Sequence, residues 1–130
     1  MAEYNILDSF TMRADGDLSQ FQNHIIRVSG LRTVGLATDP ADPTIIGVLH
    51  GAPGGAGRAT SVAYIGLSKL VAGAAIDQGK MLTTNASGRA IAITSGTASV
   101  CIGRAIEAAE GDGNIISCLL TPPTLWAGAN

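Results

Sequence analysis

Short runs of β-branched and other apolar residues recur along the chain between turn signals, and their spacing predicts strands. The runs are "HIIRVS" from His24, "TVGLAT" from Thr33, "TIIGVL" from Thr44, "SVAYIGLS" from Ser61, "KLVA" from Lys69, "KMLTT" from Lys80, "RAIAIT" from Arg89, "SVCIGRAI" from Ser99 and "NIISCLL" from Asn114. Between them stand residues that turns need. "DPADP" fixes φ at Pro40 and Pro43, while "DQG", "NASG" and "EGDGN" tolerate positive φ. So many short strands, with no room for a long helix, predict an all-β fold: a small β-barrel or sandwich with at most one or two short helical turns and extended terminal arms.

Within that frame "KMLTT-NASG-RAIAIT" reads as a hairpin with a four-residue loop and "SVCIGRAIEAAEGDGNIISCLL" as a longer one. One short helix is expected at "DLSQFQNH", where Asp17 can cap and Leu18 and Phe21 share a face. "RAIEAAE" is long enough only for a single turn. The two ends differ from the middle. Residues 1–16 are polar with isolated apolar side chains, and "TPPTLWAGAN" joins Pro122 and Pro123 to the chain's single tryptophan. Because proline removes ladder donors, residues 121–130 are expected to form an arm rather than a central strand. The domain proper is then 17–120.

At 130 residues the chain is long enough for one independent core. Aromatic residues are only 4% and charged residues 14%, so the core must be built from small aliphatics, and part of the weakly charged surface is expected to face another protein. The net charge of -2 and the scattered cations offer no basic stripe, which disfavours nucleic acid. No apolar run is long enough for a membrane helix, and "MAEYNILDSF" lacks the pattern of a secretory signal. Cys101 and Cys118 are expected as buried free thiols, and with His24 and His50 they lack metal-ligand spacing, so no metal or other cofactor is expected.

The most enzyme-like stretch, "HGAPGGAGRATS" from His50, does not complete a phosphate loop. Gly57 is followed by Arg58 and Ala59 instead of lysine and a hydroxyl, and the next residues read as a strand instead of a helix. It reads as a flexible connection. "DGDLS" from Asp15 begins like a calcium loop, but Gln20 and Ile26 stand where glycine and glutamate are required. Glu107, Glu110 and Asp112 cluster beside glycines at a hairpin tip, where carboxylates are solvated. Lys80 in "DQGKML" is placed somewhat like the attachment lysine of a carrier domain, although Gly79 takes the turn and Lys80 opens the strand. The alternative to a structural protein is therefore a small ligand-binding or carrier barrel; no enzyme is expected.

With the chain laid out in this way it resembles the head decoration, or capsid cement, proteins of tailed bacteriophages. The resemblance rests on "DLSQFQNHIIRVSG", on "IIGVLHGAPGGAGRATSVAYIGLSKLVAGAAIDQGKMLTTNASGRAIAI" and on "VCIGRAIEAAEGDGNIISCLL", covering roughly residues 17–120. It implies an all-β protein, a homotrimer or other small oligomer, seated on the major capsid protein lattice at local threefold positions on the capsid exterior. The protein would be made in the host cytoplasm and stabilise the shell, with no active site. The ends lie outside the resemblance. Their extended character and large side chains make them the expected attachment arms, with Tyr4, Ile6, Leu7 and Phe10 at one end and Pro122, Pro123, Leu125 and Trp126 at the other.

Overall fold

The computed structural model describes residues 5–130, apart from the side chains of Asn5, Leu7 and Asp8. The alternating runs form nine strands among the described residues: β1 (Asn5–Ala14), β2 (Ile25–Gly30), β3 (Thr33–Leu36), β4 (Ile45–Leu49), β5 (Ala59–Val71), β6 (Met81–Thr84), β7 (Ala90–Ala92), β8 (Ser99–Ala105) and β9 (Ile115–Trp126). Their order is β1-β3-β2-β4-β5-β9-β8-β6-β7, with β1 also paired to β5. That extra pairing closes β1, β3, β2, β4 and β5 into a barrel. The remaining four strands continue from β5 as an open sheet.

β5 belongs to both parts because "ATSVAYIGLSKLV" contains no proline and nothing to end a strand. The two runs expected from Ser61 and Lys69 are therefore one strand. Along one edge it pairs with β1; along the other, Ala63 and Val62 face β4, and Gly66 to Val71 face β9. Gly66 stands at the change of partner with φ of 109°, a backbone conformation that favours glycine.

Side-chain alternation across the shared wall creates two cores. Ile25, Val48 and Ala63 are in register across β2, β4 and β5 and join Leu70, Leu82, Ile102, Ile116 and Leu120 between barrel and open sheet. Ala14, Ile26, Val34, Leu49 and Val62, one from each barrel strand, meet Leu18 in the barrel interior. Every one of these is nearly or fully buried, and burying each leucine, isoleucine or valine contributes about 1.5–3 kcal/mol.

Three expectations change. Within the expected N-terminal arm, Asn5–Ala14 is a barrel strand: Met12 and Ala14 pack into the barrel core while Ser9, Thr11 and Arg13 are exposed. The C-terminal segment is also a strand as far as Trp126. Cys101 pairs with Thr124 but Gly103 pairs with Leu120, so β9 carries extra residues opposite Ile102. Pro122 and Pro123 fall in this bulge, where the ladder needs no N–H. Finally, "DLSQFQNH" forms successive turns, not a helix. Phe21 N–H donates to Leu18 O and His24 N–H to Phe21 O, but Asn23 at φ of 66° ends the helical path. Asp17, expected as a helix cap, instead closes a turn by accepting the Ser19 N–H at 2.9 Å.

The predicted hairpins are present. β6 and β7 are antiparallel around "NASG", whose Asn85 Oδ1 accepts the Ser87 and Arg89 N–H groups, and β8 and β9 form the longer hairpin. At Gly103 in β8 a Cβ would strike the Leu119 carbonyl group of β9, and backbone on both sides cannot give way cheaply. Gly103→Ala is expected to cost about 1–3 kcal/mol, the range for overpacking, measured as a lower midpoint in urea at unchanged slope.

Candidate functional site

The "DPADPT" turn is built like a clamp. Asp39 Oδ1 accepts the Ala41 N–H at 3.0 Å, and Asp42 Oδ1 accepts both the N–H and the hydroxyl of Thr44 at 2.8 and 2.6 Å. Arg27 Nε of β2 donates to Asp42 Oδ2 at 2.6 Å. The Thr44 hydrogen bonds, followed by those from Arg27, hold the Asp42 carboxyl below the usual carboxylate range. The turn is then fastened to the open sheet, because Val100 N–H of β8 donates to Pro40 O at 2.7 Å.

This clamp walls an apolar groove of about 380 Å³ against the bulged end of β9. Its lining is Ala41, Pro43, Ile45, Val100, Pro123 and Leu125. Ile45 and Val100 form a buried floor, whereas Leu125 is 64% exposed at the rim. A rigid wall, an apolar floor and a large exposed side chain suit capture of an apolar group from another protein, and proline limits the entropy lost on doing so.

Of the residues expected at the contact, the structure unites Pro123 and Leu125 in this groove, with Pro122 exposed beside them. Trp126, next along the strand, instead lines a separate cleft with Lys80 and Arg104, its ring packed against Gly128. At the other end, Ile6 packs on the core, and Phe10, 37% exposed, lies tilted against Tyr64 with ring centroids 5.4 Å apart. Tyr4 and the Leu7 side chain lie outside the described residues. Sequence reasoning missed Leu31, 91% exposed at the β2–β3 turn, and Ile106, Ile115 and Leu119 on the open sheet. Leu119 is in register with Leu67 and Arg104, so these residues belong to the sheet face away from the core.

The other candidates are structural. In the glycine-rich connection Gly57 N–H donates to Ala14 O, Pro53 O accepts from Leu18 N–H, and the chain then enters a strand, so the loop is tied to the barrel end and has no helix to aim at a phosphate. Lys80 Nζ donates to Asn130 O at 2.6 Å and is held against the tail, unlike a lysine projecting from a carrier tip. Glu107 accepts the Ser117 N–H at 2.6 Å, which lowers its pKa. Both cysteines are free and buried, and burial pushes the Cys118 thiol up to about 12.

His24 is buried against Phe21, with Nδ1 at 3.1 Å from Gln22 O. Burial lowers its pKa, chiefly by disfavouring the charged ring. The unfolded chain therefore binds a proton that the folded one refuses. This contribution to stability is complete above the unfolded value of about 6.5 and is lost as pH falls below it. His24→Asn is expected to flatten the dependence of the melting temperature between about pH 7 and pH 5.

Residues 3–120 match a family model described as phage cement protein. The match starts earlier than the resemblance drawn from the sequence and takes in β1. No curated protein matches the chain. Among solved structures, the crystal structure of the head fiber gp8.5 N base of bacteriophage phi29 is similar, with a TM-score of 0.65 and 20% identity over 92% of this chain and 98% of that one.

Proposed function

The chain belongs to the phage cement protein family, and we propose that it is a structural protein of the phage head that seats on the exterior of the assembled shell and stabilises it. The observation that carries this reading is the family match over residues 3–120, nearly the whole chain. The shared fold with a head fiber base supports it. So does the surface: a clamped apolar groove with Leu125 at its rim has the character of a protein contact. In this reading the protein is made in the host cytoplasm, acts without catalysis, and binds the major capsid protein lattice through Pro122, Pro123 and Leu125. Subunits associate as a homotrimer, with Phe10 and the open face of β9 available for contacts between copies.

Heads purified without this protein test the reading directly. Added protein is expected to co-sediment with them to a saturating copy number and to raise the temperature at which they release DNA. Failure to bind intact heads overturns it.

A further inference from the structure

Three loops that take no part in the groove converge on a polar cleft of about 510 Å³, inside the range of about 300–1,000 Å³ usual for small-molecule sites. The successive turns before β2 bring Phe21 and His24, the β6–β7 hairpin brings Asn85, Ser87 and Arg89, and the tip of the β8–β9 hairpin brings Asp112. The loops are locked together. Ile25 N–H donates to Gly88 O at 2.7 Å, Asn85 Oδ1 holds the Ser87 and Arg89 N–H groups, and Arg89 Nη1 meets Asp112 Oδ1 at 2.7 Å.

We propose that this cleft binds a neutral carbohydrate unit. Its polar groups are of both kinds. Arg89 keeps further guanidinium N–H groups after its bond to Asp112, and the Asn85 amide nitrogen adds donors. Asp112 offers carboxylate lone pairs, and His24, with Nδ1 engaged by Gln22 O, lines the cleft beside them. Planar donors and acceptors held side by side match the adjacent hydroxyls of a sugar, each of which gives and takes a hydrogen bond. The Phe21 ring, set edge-on to His24 at 5.4 Å, supplies an apolar wall for the C–H face. The charges select against ions: a phosphate or carboxylate meets Asp112, a cation meets Arg89, and the pair together is neutral.

The test uses saturation-transfer NMR with the full chain and the methyl glycosides of glucose, galactose, mannose and N-acetylglucosamine. At least one is expected to receive transfer, with affinity at least tenfold weaker in Arg89→Ala and several-fold weaker in Asp112→Asn. Both positions are partly or fully exposed, and an unchanged melt checks folding. Retention of a polymer of the same sugar as well identifies a surface glycan; binding of the methyl glycoside alone identifies a free sugar. No transfer to any glycoside, unaltered binding by both variants, or displacement by inorganic phosphate overturns the proposal.

Discussion

Removing residues 121–130 is expected to lower the melting temperature by at least 10 °C or to abolish the cooperative transition. The segment is bonded into the sheet at two places. Thr124, Leu125 and Trp126 pair with Cys101, Val100 and Ser99, completing the ladder at the start of β8. Beyond Trp126 the chain folds back so that Asn130 joins β6 and the residues after β7, adding to their direct Ile93 N–H to Met81 O bond. Its Oδ1 accepts from Met81 N–H at 2.9 Å, its Nδ2 donates to Met81 O and Ile93 O at 3.1 and 2.8 Å, and its N–H donates to Ser95 Oγ at 2.8 Å. At about 1 kcal/mol for each bond, the Asn130 set and the lost ladder amount to several kcal/mol, and about 1 kcal/mol moves the midpoint by roughly 3–6 °C at this size. Asn130→Ala is the finer probe, with an expected loss of about 2–3 kcal/mol. Calorimetry reads both. A truncated protein that melts like the full chain would mean that the tail is dispensable to the fold.

How far these features can be read in the sequence depends on the range of the interaction that makes them. The β6–β7 hairpin is legible because Asn85 and Gly88 write its loop within five residues. The strands from Ile25 to Leu49 are legible because the alternation is dense. β1 is harder to see because only one residue in two faces the barrel, and those facing inward include a methionine and an alanine that carry little signal. The Pro122–Pro123 pair misleads for a clear reason: proline forbids a regular ladder, but the bulge opposite Ile102 removes that requirement locally, and nothing in the nearby sequence announces it. The two expected runs, divided between Ser68 and Lys69, fuse into β5 for a similar reason, since both residues keep the ladder by pairing with Cys118 and Ser117 of β9, which the local sequence does not announce. The groove is less legible still. Pro43 and Pro123 are far apart in the chain and meet because Val100 N–H takes Pro40 O in place of a sheet partner, a bond that has no sequence signature. What the sequence does show is composition: large apolar side chains on a segment too polar to be core, which singled out Leu125 without showing what lies beside it.

Leu125→Asp is accordingly expected to leave the melt within a few degrees of the parent while occupancy of phage heads falls by orders of magnitude. The first half follows from exposure: with 64% of Leu125 already in water, a polar replacement loses little burial. The second follows from what docking would do there. Covering the rim of the Pro43, Ile45, Val100 and Pro123 groove removes Leu125 from water for a gain of about 1–2 kcal/mol, whereas an aspartate would be forced to shed its hydration against an apolar floor. A contact weakened by about 2 kcal/mol binds about 30-fold less well, and if subunits associate in the proposed homotrimer, three such contacts at once would multiply the loss toward about 10⁴-fold. Leu119→Asp is the matched control, since Leu119 is 43% exposed on the same strand but on the open face of the sheet. Quantifying both variants on sedimented heads separates the surfaces. Loss with Leu125→Asp alone places the shell contact at the groove. Loss with Leu119→Asp alone moves it to the open face of β9, and the groove must then serve another partner.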